Sequence, residues 1–492
     1  MADLAIGTAD WWLHRLVERL MLRQPRYTML YKYFSGDHPL PPGDQRYSQF
    51  LRDLMKMSQT NYVGLAIRAV TERMRVKDFK FGNTDNVDED ARSIWQANHM
   101  DLQSSISIND GAVFGETYAM VLEPDENDPN NLPRITIEDP RQCITEPDPL
   151  VPMSSIAGLK FYEDYLSGKV IAVVILPDKV YTYEGPLANH LPEDAGVLCA
   201  RLATGPSTAG FTLVSEEDNP AGEVFLIRGP WQPDHGPISL AECENGAFDI
   251  QDRINFVVLS RLVIAYNQAY RQRWMSGAKV DKTKKGDIKP PFQPGSDMIW
   301  AIEAADAKFG DFEQADIKQL LEATRDDIGD FAGITQTPVT YLTNRMVNVS
   351  GEALTSAQAS LVSKAKLRMK SMGWFFERIM KLCFRYQANP KADEIYAETL
   401  WADPEIRSLA EVADMVAKFA AAQLPPQLIL DRAGFSSTEI EFAIQEIEKQ
   451  KQEAMAQKQQ EMQMQTDSAV QVQKAGAQNK PQPQSNSPSG KS

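Results

Sequence analysis

Residues 248–275 read FDIQDRINFVVLSRLVIAYNQAYRQRWM, and the spacing of their apolar positions sets the architecture of the chain. Ile250, Ile254, Val258, Leu262, Ala265 and Ala269 recur at helical spacing and form one stripe. Phe256, Val263, Tyr266 and Tyr270 form a second, leaving a narrow polar strip through Arg253, Ser260, Asn267 and Arg271. The pattern predicts a helix about 40 Å long, stopped by Ser276-Gly277. A helix apolar on two sides must be covered on two sides. Either it lies in the middle of a large core, or it packs between neighbours, copies of itself in a ring included.

Downstream, Lys279–Pro294 mixes Lys282, Lys284, Lys285 and Lys289 with Asp281 and Asp287, and Met298–Glu303 reads as a short strand. A helix is expected over about Ala315–Phe331, closing at Gly333, followed by an irregular stretch from Thr335 to Gly351. Glu352 to about Gln387 is a long helical segment with Gly373 near its middle as a kink site. Its stripe is Leu354, Leu361, Ala365, Met372, Phe376, Ile379 and Cys383. Ile395–Trp401 reads as a strand. Ser408-x-x-Glu411 and Ser436-x-x-Glu439 then mark two helix starts as capping boxes, with Pro425-Pro426 and Gly434 between short helices. From about Gln457 the sequence turns Gln-, Ser- and Pro-rich, which predicts disorder.

Upstream, residues 1–75 read as helical apart from the turn-rich Ser35-Gly36-Asp37-His38-Pro39-Leu40-Pro41-Pro42. A further helical segment runs to Phe114, where Gly115 ends it. From Glu116 to about Gly229 the character changes to strands. Leu159–Tyr165 and Val170–Leu176 flank Ser167-Gly168 as a hairpin, and Val180–Tyr183 follows. The fold class is α+β, with antiparallel strands.

Composition excludes more than it selects. The chain has 492 residues, long enough for several packed units, and its 43% hydrophobic and 24% charged residues are those of an ordinary soluble protein. No apolar run approaches the ~20 residues that span a bilayer. The apolar N-terminus is interrupted by charges and reads as an amphipathic helix rather than a secretion signal. Cys143, Cys199, Cys243 and Cys383 lie far apart and are expected to be buried free thiols. Net charge is -16, so any contact with nucleic acid is built to avoid a tight grip. No H-E-x-x-H, G-x-S-x-G or G-x-G-x-x-G occurs. Ser489-Gly490-Lys491-Ser492 imitates the end of a phosphate-binding loop, but Ser485 stands where its first glycine belongs. Asp125–Asn130 lacks the sixth-position glycine and twelfth-position acid of a calcium loop. Neither a cofactor nor a metal is implied, and the missing phosphate cradle weighs against an ATP-driven motor. The acid-rich final helix also argues against a DNA-reading helix-turn-helix between Leu409 and Glu448.

Eight short segments occur in a telling order. They are Tyr33-Phe34-Ser35-Gly36-Asp37-His38; Asn61 with Ala69-Val70-Thr71-Glu72-Arg73-Met74; Ile94-Trp95-Gln96-Ala97-Asn98; and Asp110-Gly111-Ala112-Val113-Phe114-Gly115-Glu116-Thr117-Tyr118. Thr337-Pro338, Asn348-Val349-Ser350-Gly351-Glu352-Ala353-Leu354, Trp401-Ala402-Asp403-Pro404 and Ala433-Gly434-Phe435-Ser436 follow. From about Tyr27 to about Glu448 the chain resembles the portal proteins of siphovirus-type tailed phages, those of phages infecting actinobacteria above all.

The resemblance implies a non-enzymatic ring, usually dodecameric, at one capsid vertex, serving as the channel for DNA packaging and ejection. It implies residence in the virion, and in the host cytoplasm during assembly, with no membrane. Implied partners are other copies of the chain, the terminase large subunit, a head-completion or adaptor protein, major capsid and scaffolding proteins, and double-stranded DNA. In family terms, 1–247 is N-terminal helices and α/β wing, 248–277 the first stem helix and 278–314 a short α/β clip. The second stem helix is 315–337, the tunnel loop 338–351, the long kinked wing helix 352–395, the crown 396–456 and a disordered tail 457–492. Ile254, Val258, Leu262, Tyr266 and Tyr270 would form the subunit interface of the stem.

A conduit must let a polyanion slide. Asn344 and Arg345 are placed at the constriction as DNA contacts, with a surface salt bridge as the other reading of Arg345. Lys318 and Arg325 are weaker candidates, since inter-subunit pairing with Glu322 or Asp326 accounts for them. Lys282, Lys284 and Lys285 either contact a partner at the clip or form a solvated loop. Two other function classes stay open on sequence alone: a structural capsid or connector protein that never surrounds DNA, and a metal-dependent nuclease.

Overall fold

The computed structural model describes residues 5–39, 49–83, 87–125, 129–186, 210–234, 238–269, 273–276, 306, 308–311, 316–343, 351–405, 409–435 and 437–477. Two compact units make up the chain, Met1–Glu405 and Ile406–Ser492.

The first unit opens with α1 (Ala9–Ser35), capped by the Thr8 hydroxyl, which accepts from the Trp11 amide at 3.3 Å. Its 27 residues span ~40 Å and serve two cores. Leu13, Leu16, Val17, Leu20 and Met21 pack on a sheet, while Tyr27, Leu30 and Tyr33 belong to a larger core. Pro25 lies between the two sets.

That sheet is antiparallel and ordered β4 (Cys143–Pro147), β5 (Ser155–Asp164), β6 (Lys169–Ile175), β7 (Lys179–Pro186), β8 (Thr212–Asp218). Alternation puts Ala157, Leu159 and Phe161 with Val170, Ala172 and Val174 on one buried face, where α1 covers them. The expected hairpin forms between β5 and β6: Asp164 pairs with Lys169, and Gly168 N–H donates to the Asp164 carbonyl at 2.9 Å.

The larger core gathers α3 (Tyr62–Thr71), α4 (Glu89–Ala97), α5 (Met100–Phe114) and a three-stranded antiparallel sheet. The order of that sheet is β3 (Arg134–Glu138), β2 (Glu116–Leu122), β9 (Leu226–Pro230). Against it lies α9 (Gly351–Tyr386), whose Leu361, Ala365, Met372, Phe376, Ile379 and Cys383 are fully buried, six residues of the stripe read from the sequence. Close approach needs Gly229 on β9, where a Cβ would sit 2.7 Å from the Phe375 ring. Cys143, Cys243 and Cys383 are free and buried.

Gly115 joins α5 to β2 at φ 87, the left-handed region. A Cβ there would lie 2.3 Å from the Ser239 carbonyl oxygen. Glu116 follows at 1% exposure, held by the Arg23 and Arg228 guanidiniums and the Tyr27 hydroxyl. Burial alone would raise its carboxyl, but Arg228 and Arg23 outweigh that and hold it at about 2. A buried charge survives only with such pairing.

Several sequence expectations change. Strand β1 (Val76–Phe81) sits in a stretch read as helical, because its partner β12 (Ala397–Trp401) is far away in the chain and no local pattern announces the pairing. The helix read over 248–275 ends at Ala269, and Arg273–Ser276 form β10, paired antiparallel with β11 (Lys308–Asp311). Ladder bonds to a remote strand replace helical ones there. Met298–Glu303 lies outside the described residues. The next helix passes Gly333 to Thr335, and Gln336 at φ 51 closes it. Gly333 lacks the left-handed φ of a stop, whereas Pro338 just beyond cannot continue a helix.

The second unit contains α10 (Leu409–Ala421), α11 (Pro426–Arg432) and α12 (Ser437–Ala477). Helix starts fall beside the two expected capping boxes, and Gly434 at φ 90 separates α11 from α12. The tail expected to be disordered from 457 remains helical through Ala477. Its Gln, Glu, Met, Ala and Lys residues are good helix formers, and no proline occurs before Pro481.

Candidate functional site

The two-faced helix is α6 (Ala247–Ala269), and its first turns are locked from several sides. Tyr33 stacks on Phe248 at 4.2 Å and donates to Asp252 Oδ2 at 2.8 Å. Gln251 Oε1 accepts from the Tyr62 amide at 2.9 Å, and Gln251 Nε2 donates to Thr60 Oγ1 at 2.9 Å. Asn255 Oδ1 accepts from both the amide and the hydroxyl of Thr60, at 2.9 and 2.8 Å. Asn255 Nδ2 lies 3.3 Å from His38 Nδ1. Burial lowers the His38 imidazole pKa below its usual value, against the raising pull of Asp252. Apolar contacts complete the clamp, with Ile254 at 0% and Val258 at 7% exposure.

Farther along, cover thins. Leu259 joins Leu54 and Met55 of α2 (Gln49–Met57), and Leu262 and Val263 pack against that small cluster half-buried. Phe256 is 58% exposed and Tyr266 42%, the latter touching Phe50 at 4.3 Å between ring centroids. Of the five interface candidates, Ile254 and Val258 therefore serve the core of their own chain. Leu262 is intermediate, Tyr266 exposed, and Tyr270 outside the described residues.

Helix α7 (Ile317–Thr335) packs beside α6 through Ile328 and Phe331. Arg253, on the polar strip of α6, clasps it: Nε reaches Asp327 Oδ1 at 2.7 Å and Nη2 reaches Asp330 Oδ2 at 2.9 Å. The sequence reading missed this bridge, though Arg253 and the Asp326-Asp327 pair were visible as unspent charges on two helices. Lys318, Glu322, Arg325, Asp326, Gly329 and Gly333 form an exposed strip along α7. Neither Lys318 nor Arg325 makes an ion pair among the described residues of its own chain. The helix holds two cations against four carboxylates, a surface that does not grip phosphate. A short helix, α8 (Val339–Thr343), follows, its Tyr341 hydroxyl accepting from Arg73 Nη2 at 2.6 Å. Asn344, Arg345, Lys282, Lys284 and Lys285 lie outside the described residues.

Behind these helices Glu242 is buried between Lys364 Nζ and Arg368 Nε of α9, each at 2.9 Å, and accepts from the Trp231 indole at 2.7 Å. Burial would raise its carboxyl, yet the two cations outweigh that and hold it below its ordinary value. Lys364 also donates to the Thr335 carbonyl, closing the end of α7 onto α9. Burial pushes the neighbouring Cys243 thiol up to about 12, which keeps it protonated and a poor nucleophile. Asp110 departs in the other direction from Glu242: burial first, then Asp139, push it up to about 7 against Arg141. Among the described residues no three His, Cys, Asp or Glu side chains converge as a metal site, and no helix is long and apolar enough to cross a membrane. What the arrangement offers is mechanical: a clamped helix pair with Phe256 exposed on one apolar face, among the described residues, and one mixed-charge strip exposed.

The chain is similar to known proteins over most of its length. The chain is 23% identical over 404 residues to the portal protein of Mycobacterium phage D29, covering 78% of each. It is 23% identical over 381 residues to the portal protein of Mycobacterium phage L5, covering 74% of this chain and 72% of that one. Residues 13–459 match the family described as "Phage portal protein, SPP1 Gp6-like", and the chain belongs to that family of portal proteins.

Proposed function

We propose that α6 and α7 form the stem of a twelve-membered ring, with the face of α6 that bears Phe256 seated on a neighbouring copy. The chain is a phage portal protein, a non-enzymatic component of the virion that forms an oligomeric ring at a capsid vertex and passes DNA during packaging and ejection. The observation that carries the finer reading is the exposure of Phe256 on a helix otherwise anchored in the core. Large aromatic side chains in water on a rigid helix favour association. Heterologous contacts of this kind close into rings when the rotation permits.

Under this proposal the α7 strip with Lys318 and Arg325 faces the channel, and residues 338–351 supply the tunnel loop, with Asn344 and Arg345 touching DNA lightly. Residues 278–314 form the clip, where Lys282, Lys284 and Lys285 meet the terminase large subunit and later an adaptor. The second unit takes the crown position, and α9 the long wing helix. Major capsid and scaffolding proteins surround the ring. A low net attraction along α7 suits a passage in which DNA must slide.

Light scattering with negative-stain imaging of the purified protein tests the ring, since twelve chains of 55.1 kDa weigh about 660 kDa. Rings with a central hole are expected. A chain that stays monomeric at high concentration with scaffold present would overturn the stem assignment. Arg345→Glu should leave rings intact and reduce packaged DNA, and unchanged packaging would remove Arg345 from the channel wall.

A further inference from the structure

Helix α9 carries seven Lys and Arg residues against two Glu, in a chain whose net charge is -16. In its C-terminal half Arg378 and Arg385 both bridge Glu223, at 2.8 and 2.7 Å, and only Lys381 has no ion pair among the described residues. The N-terminal half has more cations than carboxylates to meet them. Lys364 and Arg368 share the single carboxylate of Glu242, and Lys366 and Lys370 are exposed with no ion pair among the described residues. These four cations line one cavity of about 580 Å³ with Glu242, so three positive charges there are left uncompensated among the described residues.

The lining is built for an oxyanion. Arg368 is fixed by Nε on Glu242 at 2.9 Å and lies 5.9 Å from the Trp231 ring centroid, while its terminal N–H groups stay unspent among the described residues. Lys366 and Lys370 add flexible point charges on stems that follow a moving ligand. Ser363 and Gln336 supply neutral donors beside them. An acidic side chain from another subunit would meet one or two of these charges, whereas the cavity is large enough for a diester phosphate with its flanking sugars.

We propose that this cavity is a phosphate site for the backbone of the translocated DNA, in which Lys366 and Lys370 are the contacting residues. The proposal rests on the role of the chain as a DNA conduit. It places a basic contact beside the end of α7, where the mixed-charge strip stops. Such a site touches DNA by charge alone and reads no sequence.

The test uses the assembled full-length protein and a short labelled duplex, with binding followed by anisotropy across a salt series. Lys366→Ala with Lys370→Ala should make the slope of log affinity against log salt shallower by about 1.8 for each subunit that touches the duplex, at ~0.9 for each phosphate no longer neutralised. Light scattering should show unchanged rings, and the double arginine variant should keep the wild-type slope. An unchanged slope in the alanine variant overturns the proposal. A folded alanine variant that no longer assembles also overturns it, and assigns the lysines to an acidic face of the adjacent subunit. Wild-type rings that bind no duplex at low salt remove the phosphate site while leaving the channel reading standing, because ring mass is measured separately.

Discussion

Replacing Glu116 by glutamine should cost the first unit ~3 kcal/mol at neutral pH. The carboxyl is held at about 2 against an ordinary 4.5. At ~1.4 kcal/mol per pH unit, that difference amounts to ~3 kcal/mol of preference for the ionised, folded form. A second route gives the same scale: removing one member of a buried ion pair costs ~3–5 kcal/mol, because the partner stays buried without compensation. Here Arg23 and Arg228 would both be left, at side-chain exposures of 8% and 17%. Glutamine retains an acceptor for the Tyr27 hydroxyl, which puts it at the lower end of that range. The assay is a urea titration followed by tryptophan fluorescence, with protein dilute enough that association does not add to stability. The sign with pH is fixed. A depressed carboxyl contributes fully above its unfolded value and loses that contribution as pH falls from about 4.5 towards 2. Wild type and variant should therefore differ most at neutral pH and converge in acid. A difference under ~1 kcal/mol at pH 7, or one that stays constant down to pH 3, would refute the account of Glu116 as the charge that holds α1 to the sheet.

Three further outcomes are expected. Gly115→Ala meets both a left-handed backbone and the Ser239 carbonyl, and should lower the urea midpoint by an amount worth more than ~2 kcal/mol. Phe256→Glu should leave the stability of the dilute chain within ~0.5 kcal/mol, since the side chain is more than half exposed, yet abolish rings in negative stain. Asp110→Asn should stabilise. An acid raised from 3.8 to about 7 opposes folding once the unfolded chain ionises, so by urea titration the gain should be absent near pH 3, grow between about 4 and 7, and level off above that at ~2 kcal/mol or more.

The segments that mark the family are joints of the fold rather than chemistry, which explains why they were legible without catalytic motifs. In Tyr33–His38, Gly36 closes α1 at φ 87 and His38 packs against Tyr33 and Asn255. Asn61 caps α3 through the Gly64 amide and donates to the Phe34 carbonyl. Asn98 ties α4 to β3 through the Ile135 amide and the Pro133 carbonyl. Pro404 offers its carbonyl to the buried Arg73. Each solves a problem of buried polar groups at a turn, and such solutions tolerate few residue types. The stripes of α6 and α9 and the β5–β6 hairpin were readable for another reason: their periodicity is local. Strand β1 was not, because its stability comes from a partner more than three hundred residues away. The Arg253 clasp and the Glu242 pocket were hidden likewise, since charge neutralisation across elements leaves no trace in spacing. Of the channel candidates, Lys318 and Arg325 fall on the exposed strip of α7 as their helical spacing implies.

Helix α1 runs through both cores of the first unit, and this makes it a strut. The five-stranded sheet grips its first half, and the core that anchors α6 grips its second, with Tyr33 reaching Asp252 at the very base of the helix pair. Load applied to the sheet is thus carried along a single rod to the first turns of α6. A proline in a helix removes one backbone hydrogen bond and crowds the preceding turn. Pro25 stands where one grip ends and the next begins, so bending compliance is concentrated in one turn of the rod. Under the outward pressure of packed DNA, that turn is where a subunit is expected to yield elastically while both cores keep their packing.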